Sequence, residues 1–332
     1  MAKILVVGAG ALGGLLGALL AEKGHDVLLL TRSHASDTMR LEGGAYGPDR
    51  AVRVRSDVAA PPDLRPDLVV VGVKTQDLAK ALEQHRHALG DAPVVALQNG
   101  LAQDDITLAA VGPARAVACI VALDASHLEA GRVRCERPGT LLVGPVRDEA
   151  KPAADRAAAT LGEVVRVQRT DNVRGARWTK LLVNLQNVVP ALTDLSFQEV
   201  AKHPGLARAV VRMVREAREV ARAEGVTLAP LPWTNPLLLR AMSRMPEGLA
   251  VSLFAKRVQV VLGSKPAYGS TWQSVQRGQS VETEWLNGEV VRRGATHGLA
   301  TPVNARAVEL AAGGARLAPD ACARALLGED AR

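Results

Sequence analysis

Aromatic side chains are scarce, with two Tyr, two Phe and four Trp among 332 residues. Single-stranded nucleic acids are held by stacking their bases on aromatic rings, and so thin a supply makes no such platform. The formal net charge of +7 therefore suits small anions better than nucleic acid. Cysteine is also sparse. Cys119, Cys135 and Cys322 are odd in number and widely separated, with no C-x-x-C pair and no histidine at zinc spacing. A disulfide framework and a bound metal are thus not expected, and the thiols read as reduced, in a cytoplasmic protein. Tracts of like charge, low-complexity segments and repeats of roughly 20–50 residues are missing too, which removes sticky tails and solenoids. What remains is ordinary globular usage, 48% hydrophobic and 23% charged, over a length that suits two domains.

One long stretch, Ile4 to Ala21, carries no charge and has the superficial look of an export signal or membrane span. Five glycines (Gly8, Gly10, Gly13, Gly14 and Gly17) spoil that reading, because each weakens a helix and adds no apolar side chain, whereas a span needs about twenty strongly apolar residues. The run also divides by type. "KILVVG" is a short β-branched strand, "ALGGLLGALLAEKG" has helical character and stops at Gly24, and "HDVLLLTR" supplies a second buried strand. This is a β-α-β unit. Gly8, Gly10 and Gly13 fall at G-x-G-x-x-G spacing in its strand-to-helix turn, so the loop Gly8-Ala9-Gly10-Ala11-Leu12-Gly13 is the candidate dinucleotide cradle. The first glycine permits the turn, the second admits a pyrophosphate close to backbone, and the third lets helix and strand approach. The phosphates then lie on unpaired N–H groups at the helix N-terminus.

An acid about twenty residues beyond such a loop accepts hydrogen bonds from the adenosine ribose in NAD enzymes. Here the second strand ends in Thr31-Arg32-Ser33-His34. A guanidinium with hydroxyls and a histidine nearby suits a 2′-phosphate, so the expected cofactor is NADPH. After a loop rich in Gly and Pro, the runs "RVRS", "PDLVVVGVKTQD", "APVVALQNG" and "RAVACIVALD" read as further strands of a sheet covered on both faces. Lys74 and Asn99 close two of them, at the strand ends where ligands gather. "GRVRCERPGTLLVGP" alternates as antiparallel strands do, and "EVVRVQRT" reads as the last strand. The domain boundary is expected near Arg169, with an NADP-binding domain over 1–168 and a helical substrate domain over 169–332.

From Asp171 the patterns are helical, giving an α/β Rossmann-type doubly wound sheet followed by an all-α C-terminal domain. In "NVRGARWTKLLVNLQNVV" the residues Lys180, Asn184 and Asn187 stand at i, i+4 and i+7, on one face of a single expected helix. Leu181, Leu182, Val183, Leu185 and Val188 make that helix largely buried, where an ammonium and two amides need partners or a ligand. The long helix between Gly205 and Gly225 has an apolar side that suits either the domain's own core or a second copy in a homodimer.

Six separated segments in order, "GAGALGG", Arg32, "VGVKTQD", "LQNG", "RWTKLLVN" and "GSTWQSVQRGQSVETEWLNGEVVRRGATHGLATPVN", together resemble the ketopantoate reductases (2-dehydropantoate 2-reductases) over nearly the full chain. The resemblance implies NADPH-dependent reduction of the ketone of 2-dehydropantoate to (R)-pantoate, a step of pantothenate and coenzyme A biosynthesis. It also implies Lys180 as proton donor, Glu282 as an active-site carboxylate, Asn184 and Ser270 as substrate contacts, and Lys74 and Asn99 as cofactor-side residues, with Asn99 bordering the substrate as well. The residue types suit the chemistry, since hydride addition leaves an alkoxide that a positioned ammonium can stabilise and protonate. Glu282 would orient Lys180 or a substrate hydroxyl, and Ser270 doubles as an expected N-cap for the helix beginning "TWQSV".

Two positions depart from the family pattern. Val188 stands where a second Asn is usual, and Ser274 where Asp is usual. Both touch the substrate side, so a related 2-oxo acid is the nearest rival substrate. A different class of reading, a non-catalytic NADPH-binding regulatory protein, has no use for Lys180, Asn184 and Glu282.

Overall fold

The computed structural model describes residues 1–32, 37–278 and 281–329; Ser33 and His34, the expected companions of Arg32, lie outside them. The described chain forms two units, Met1–Val173 and Arg174–Arg332.

The first unit is built on strands whose β-branched runs are buried from both sides. In chain order it contains β1 (Lys3–Val7), α1 (Ala11–Glu22), β2 (Asp26–Leu30), β3 (Thr38–Glu42), β4 (Arg50–Arg53), β5 (Arg55–Asp57), β6 (Leu68–Val71), α2 (Thr75–Gln84), β7 (Val94–Ala96), α3 (Ala102–Val111), β8 (Ala116–Glu129), β9 (Arg132–Pro145), α4 (Lys151–Gly162) and β10 (Arg166–Arg169). The strands join one sheet in the order β4-β3-β9-β8-β7-β6-β1-β2-β5, with β10 beside β9. From β8 to β5 every pairing is parallel. The long β8–β9 hairpin is antiparallel and carries the sheet onward to β3 and β4.

Alternate residues of β1 feed opposite cores. Ile4 and Val6 pack with Leu15, Leu16 and Leu19 of α1 and the alanine face of α4, while Leu5 and Val7 pack with Leu78 and Leu82 of α2 and Val111 of α3. That is the period-two logic of a sheet with helices on both faces. At about 25 cal/mol per Å2 of apolar surface removed from water, each fully buried Leu or Val of these strands stabilises the fold by roughly 1.5–3 kcal/mol. The stretch read as a Gly/Pro loop after Arg32 contains β3 and most of β4, which pair with each other. Met39 and Leu41 of β3 are buried, and this apolar anchoring makes a strand of a segment too short to announce itself.

The second unit is helical: α5 (Val173–Asn184, starting at the last residue of the first unit), α6 (Val188–Thr193), α7 (Phe197–Lys202), α8 (Pro204–Ala223), α9 (Pro236–Arg244), α10 (Glu247–Leu262), α11 (Ser270–Gln276), α12 (Thr283–Thr296), α13 (Pro302–Ala312) and α14 (Pro319–Leu327). Helix α8 is central, touching α7, α9, α10, α12, α13 and α14 and burying Leu206, Val210, Met213, Val214, Ala217 and Val220. Its Glu216 accepts from the Val303 and Asn304 backbone N–H groups, at 2.9 and 3.0 Å, and so caps α13 from a neighbouring helix. Burial is the largest influence on that carboxyl and pushes its pKa up.

The single helix expected through Asn187 is interrupted. Helix α5 ends at Asn184, a 3-10 turn covers Leu185–Asn187, and α6 restarts at Val188. The cause is Pro190, whose missing N–H and bulky ring disallow an α-turn onto the Gln186 carbonyl four residues back. Asn187 therefore does not continue the helical face of Lys180 and Asn184.

Candidate functional site

In the first unit the candidate residues meet at one edge of the sheet. Because β1, β2, β6 and β7 are parallel, the segments after Val7, Leu30, Val71 and Ala96 all emerge on the same side. Strand β1 has β2 on one flank and β6 on the other, so the chain reverses its winding there, the place where open sheets of this kind leave a crevice.

The glycine loop is shaped by contacts that can be named. Gly8 has φ +98°, a left-handed value that side-chain-bearing residues avoid, and its N–H donates to the Leu30 carbonyl at 3.0 Å. A Cβ on Gly13 would stand 2.0 Å from the Gly8 carbonyl oxygen, so helix α1 reaches the strand only because that Cβ is missing. Gly10 is different. Its φ is −73° and a Cβ there would meet nothing nearer than the Gly72 carbonyl oxygen, at 3.8 Å. Neither strain nor packing within the protein requires glycine at this position. Gly10 is the N-cap of α1 with no side-chain cap, and Ala9, Gly10, Ala11 and Leu12 are partly exposed. The start of α1 thus combines outward N–H groups, the positive end of the helix dipole, and a spot kept clear of a side chain.

Arg32 follows β2 with its side chain 86% exposed and donates through Nη2 to Asp77 Oδ2 at 2.5 Å. Asp77 lies in the first turn of α2, whose N-cap is Lys74, so the pair joins the end of β2 to the segment after β6. Two further bonds hold the neighbouring loops. Gln98 is buried and its Nε2 donates to the Val71 and Val73 carbonyls at 3.0 and 2.9 Å, and Thr75 Oγ1 donates to the Asn99 carbonyl at 3.4 Å. Lys74 and Asn99 are accordingly neighbours across one edge. Sequence reasoning missed Gln98 and Asp77, although both stand inside the segments quoted for their neighbours.

In the second unit, α5 is buried at Ala176, Trp178, Leu181 and Leu182, while Lys180 and Asn184 lie on its part-exposed side one turn apart. Thr179, buried, turns its hydroxyl to the Gly175 and Ala229 carbonyls at 2.9 and 2.7 Å, which fixes the rotation of the helix about its axis. Asn187, buried in the 3-10 turn, brings its Oδ1 against Gly269, the residue before Ser270. Ser270 is the first residue of α11 and exposed, and Gly269 is the N-cap, so the capping role expected of Ser270 falls to backbone instead. Glu282 is the N-cap of α12 without a side-chain cap bond and is part-exposed. Asn287, one turn further along α12, donates to the Leu185 carbonyl at 3.4 Å and the Asn304 Oδ1 at 3.0 Å. Helix α12 is thereby tied to the end of α5. Val188 and Ser274, the two departures, are both buried.

The three cysteines are buried and none forms a disulfide, and burial pushes the Cys322 thiol up to about 12. No helix among the described residues is long and apolar enough to cross a membrane.

Comparison with known proteins gives a consistent result. A family model described as ketopantoate reductase PanE/ApbA matches residues 4–148, and a second, ketopantoate reductase PanE/ApbA C terminal, matches residues 172–314. The 2-dehydropantoate 2-reductase of Halobacterium salinarum is 30% identical over 309 residues, covering 91% of this chain and 95% of its own. Among solved structures, a PanE/ApbA family ketopantoate reductase from Ralstonia eutropha is 29% identical with a TM-score of 0.79, covering 96% of this chain and 99% of that one. D-mandelate dehydrogenase with NADH and anilino(oxo)acetate has a TM-score of 0.78 at 20% identity, over 96% and 99% of the two chains, a likeness of fold.

Proposed function

The chain belongs to the ketopantoate reductase PanE/ApbA family, and on that premise we propose that it is an NADPH-dependent 2-oxo acid reductase whose substrate is 2-dehydropantoate and whose product is (R)-pantoate. The observation that carries the cofactor half is Gly10, a glycine that the protein's own packing does not demand, set at the N-terminus of α1. A dinucleotide pyrophosphate gives it a purpose. The loop Gly8–Gly13 would hold that diphosphate, Arg32 the 2′-phosphate, and Lys74 and Asn99 the remainder of the cofactor side. When bound, the cofactor supplies the hydride that turns the substrate ketone into an alcohol.

The chain's own residues supply the rest. Lys180, as an ammonium, bonds the ketone oxygen, stabilises the negative charge that grows on it and passes it a proton, so that one ketone plus one hydride and one proton becomes one alcohol. Asn184, a turn further along the same side of α5, donates an amide N–H to a substrate oxygen without ionising. Ser270 offers a hydroxyl to the substrate carboxylate, and Glu282 orients Lys180 or a substrate hydroxyl. The partial burial of Lys180 and Asn184 on an otherwise buried helix supports these roles.

Lys180→Ala tests the assignment. General acid catalysis contributes about 10²–10⁴-fold, so kcat should fall by about that factor while NADPH, titrated by fluorescence, still binds with wild-type affinity. Turnover at the wild-type rate would reject Lys180 as the donor.

A further inference from the structure

Asp194, just past α6, has φ +61° and ψ 14° and is the only non-glycine residue with positive φ among the described residues. Asp and Asn are the side-chain-bearing residues that most readily enter this left-handed region, and Asp194 occupies it as the C-cap of α6. The surroundings here are specific. Asp194 Oδ1 accepts from Trp272 Nε1 at 2.6 Å and from Gln276 Nε2 at 2.9 Å. Arg316 stands 3.8 Å from the same oxygen and donates to the Ala191 carbonyl at 3.0 Å. Trp272 and Gln276 are one turn apart on α11, so one carboxylate oxygen grips one face of that helix.

The N-terminal end of α11 is fixed from two more directions. Tyr268 stacks on Trp272, with ring centroids 4.1 Å apart and planes 25° from parallel. Gly269 is wedged so tightly that a Cβ would come within 2.9 Å of both Asn187 Oδ1 and the Phe197 ring. A helix of seven residues has almost no stability of its own, so its orientation is the sum of these contacts. Asp194 is the charged member of the set, and its Oδ1 is the one acceptor that two side chains of α11 share.

We propose that Asp194 is a positioning residue for substrate binding, clamping α11 so that Ser270 is presented to the carboxylate of the 2-oxo acid; the inference rests on the reading of Ser270 as a substrate contact. Two substitutions separate this from a general contribution to folding. Asp194→Gly removes the acceptor but relieves the left-handed backbone, so the fold is kept while α11 loses its clamp. Asp194→Asn keeps Oδ1 as acceptor and tolerates the left-handed region.

Loss of an interaction made equally in ground and transition states raises KM at constant kcat. Asp194→Gly should therefore raise KM for 2-dehydropantoate by about tenfold, with kcat, KM for NADPH and the melting temperature held near wild type, and Asp194→Asn should restore KM. Trp272→Phe, which keeps the stacked ring and deletes the N–H, should shift KM the same way. The inference is overturned by a wild-type KM in Asp194→Gly, by an equal rise of both Michaelis constants with a lowered melting temperature, or by Asp194→Asn behaving as the glycine variant does. Ser270→Ala tells the two levels apart. A wild-type KM there removes the reading of Ser270 itself, whereas a raised KM beside an unaffected Asp194→Gly removes only the clamp.

Discussion

Replacing Arg32 by Gln probes cofactor choice directly, and the structure sets the size of the effect. The guanidinium is 86% exposed and its partner Asp77 is 37% exposed. An ion pair so open to water contributes about 0–1 kcal/mol, so a phosphate can displace Asp77 at little cost. The exposure also fixes the dielectric at close to that of water, in which opposite unit charges 4 Å apart attract by about 1 kcal/mol. A phosphate monoester carries close to two charges at neutral pH. Arg32→Gln should therefore cost about 2 kcal/mol of NADPH binding, or roughly 30-fold in Kd, with Asp77 left behind as an uncompensated like charge that adds to the loss. NADH lacks the phosphate, and its Kd should change by less than about twofold on the same arithmetic. Asp77→Asn should act in the opposite direction, tightening NADPH alone. Titrations of both cofactors at low and high salt provide the assay, since an exposed phosphate contact weakens as the Debye length shrinks. Equal losses for NADPH and NADH, or none for either, would refute the reasoning.

Other expectations are equally concrete. Gly10→Ala should fold with a wild-type melting temperature, because the added Cβ meets nothing nearer than 3.8 Å, yet bind NADPH at least about tenfold more weakly, as a methyl group intrudes where backbone meets pyrophosphate. Gly13→Ala, whose Cβ would fall 2.0 Å from the Gly8 carbonyl oxygen, should by contrast destabilise the first unit by about 3 kcal/mol or more, visible in denaturant unfolding. The carboxyl of Glu247 is held below its ordinary value of 4.5 chiefly by its hydrogen bond with Arg212, at 2.7 and 3.1 Å across a pair of partly exposed side chains. A carboxyl whose pKa is lowered by folding stabilises the folded state above the unfolded value and loses that contribution as pH falls through the folded value. Glu247→Gln should thus lower stability by about 0.5–1 kcal/mol at pH 7 after allowance for solvent screening, with the gap to wild type closing below pH 4.5; a gap independent of pH would contradict this.

Much of the first unit was legible because its signals are local. The glycine spacing and the β-branched runs act within a few residues of themselves, and the structure follows them through β1, α1 and β2. Strand β3 was hidden because its register depends on β9, some ninety positions away. The break after Asn184 was written in Pro190, but its effect falls four residues upstream, in a stretch whose composition reads as helix. Ser270 looked like a cap by residue type, whereas the backbone gives that place to Gly269. Gln98, Asn287 and Asp194 left no local trace at all. Each is a polar side chain whose partners lie 17 to 122 positions away, and only the folded chain identifies what such a group serves.

The account stands on hydride transfer from NADPH to a 2-oxo acid, and the most direct measurement is the loss of NADPH absorbance when the full chain is supplied with 2-dehydropantoate and a panel of related 2-oxo acids. The predicted result is saturable oxidation of one NADPH per substrate, fastest with 2-dehydropantoate, yielding (R)-pantoate. Tight binding of NADPH with no oxidation by any member of the panel would contradict it and leave a cofactor-binding protein without a reaction.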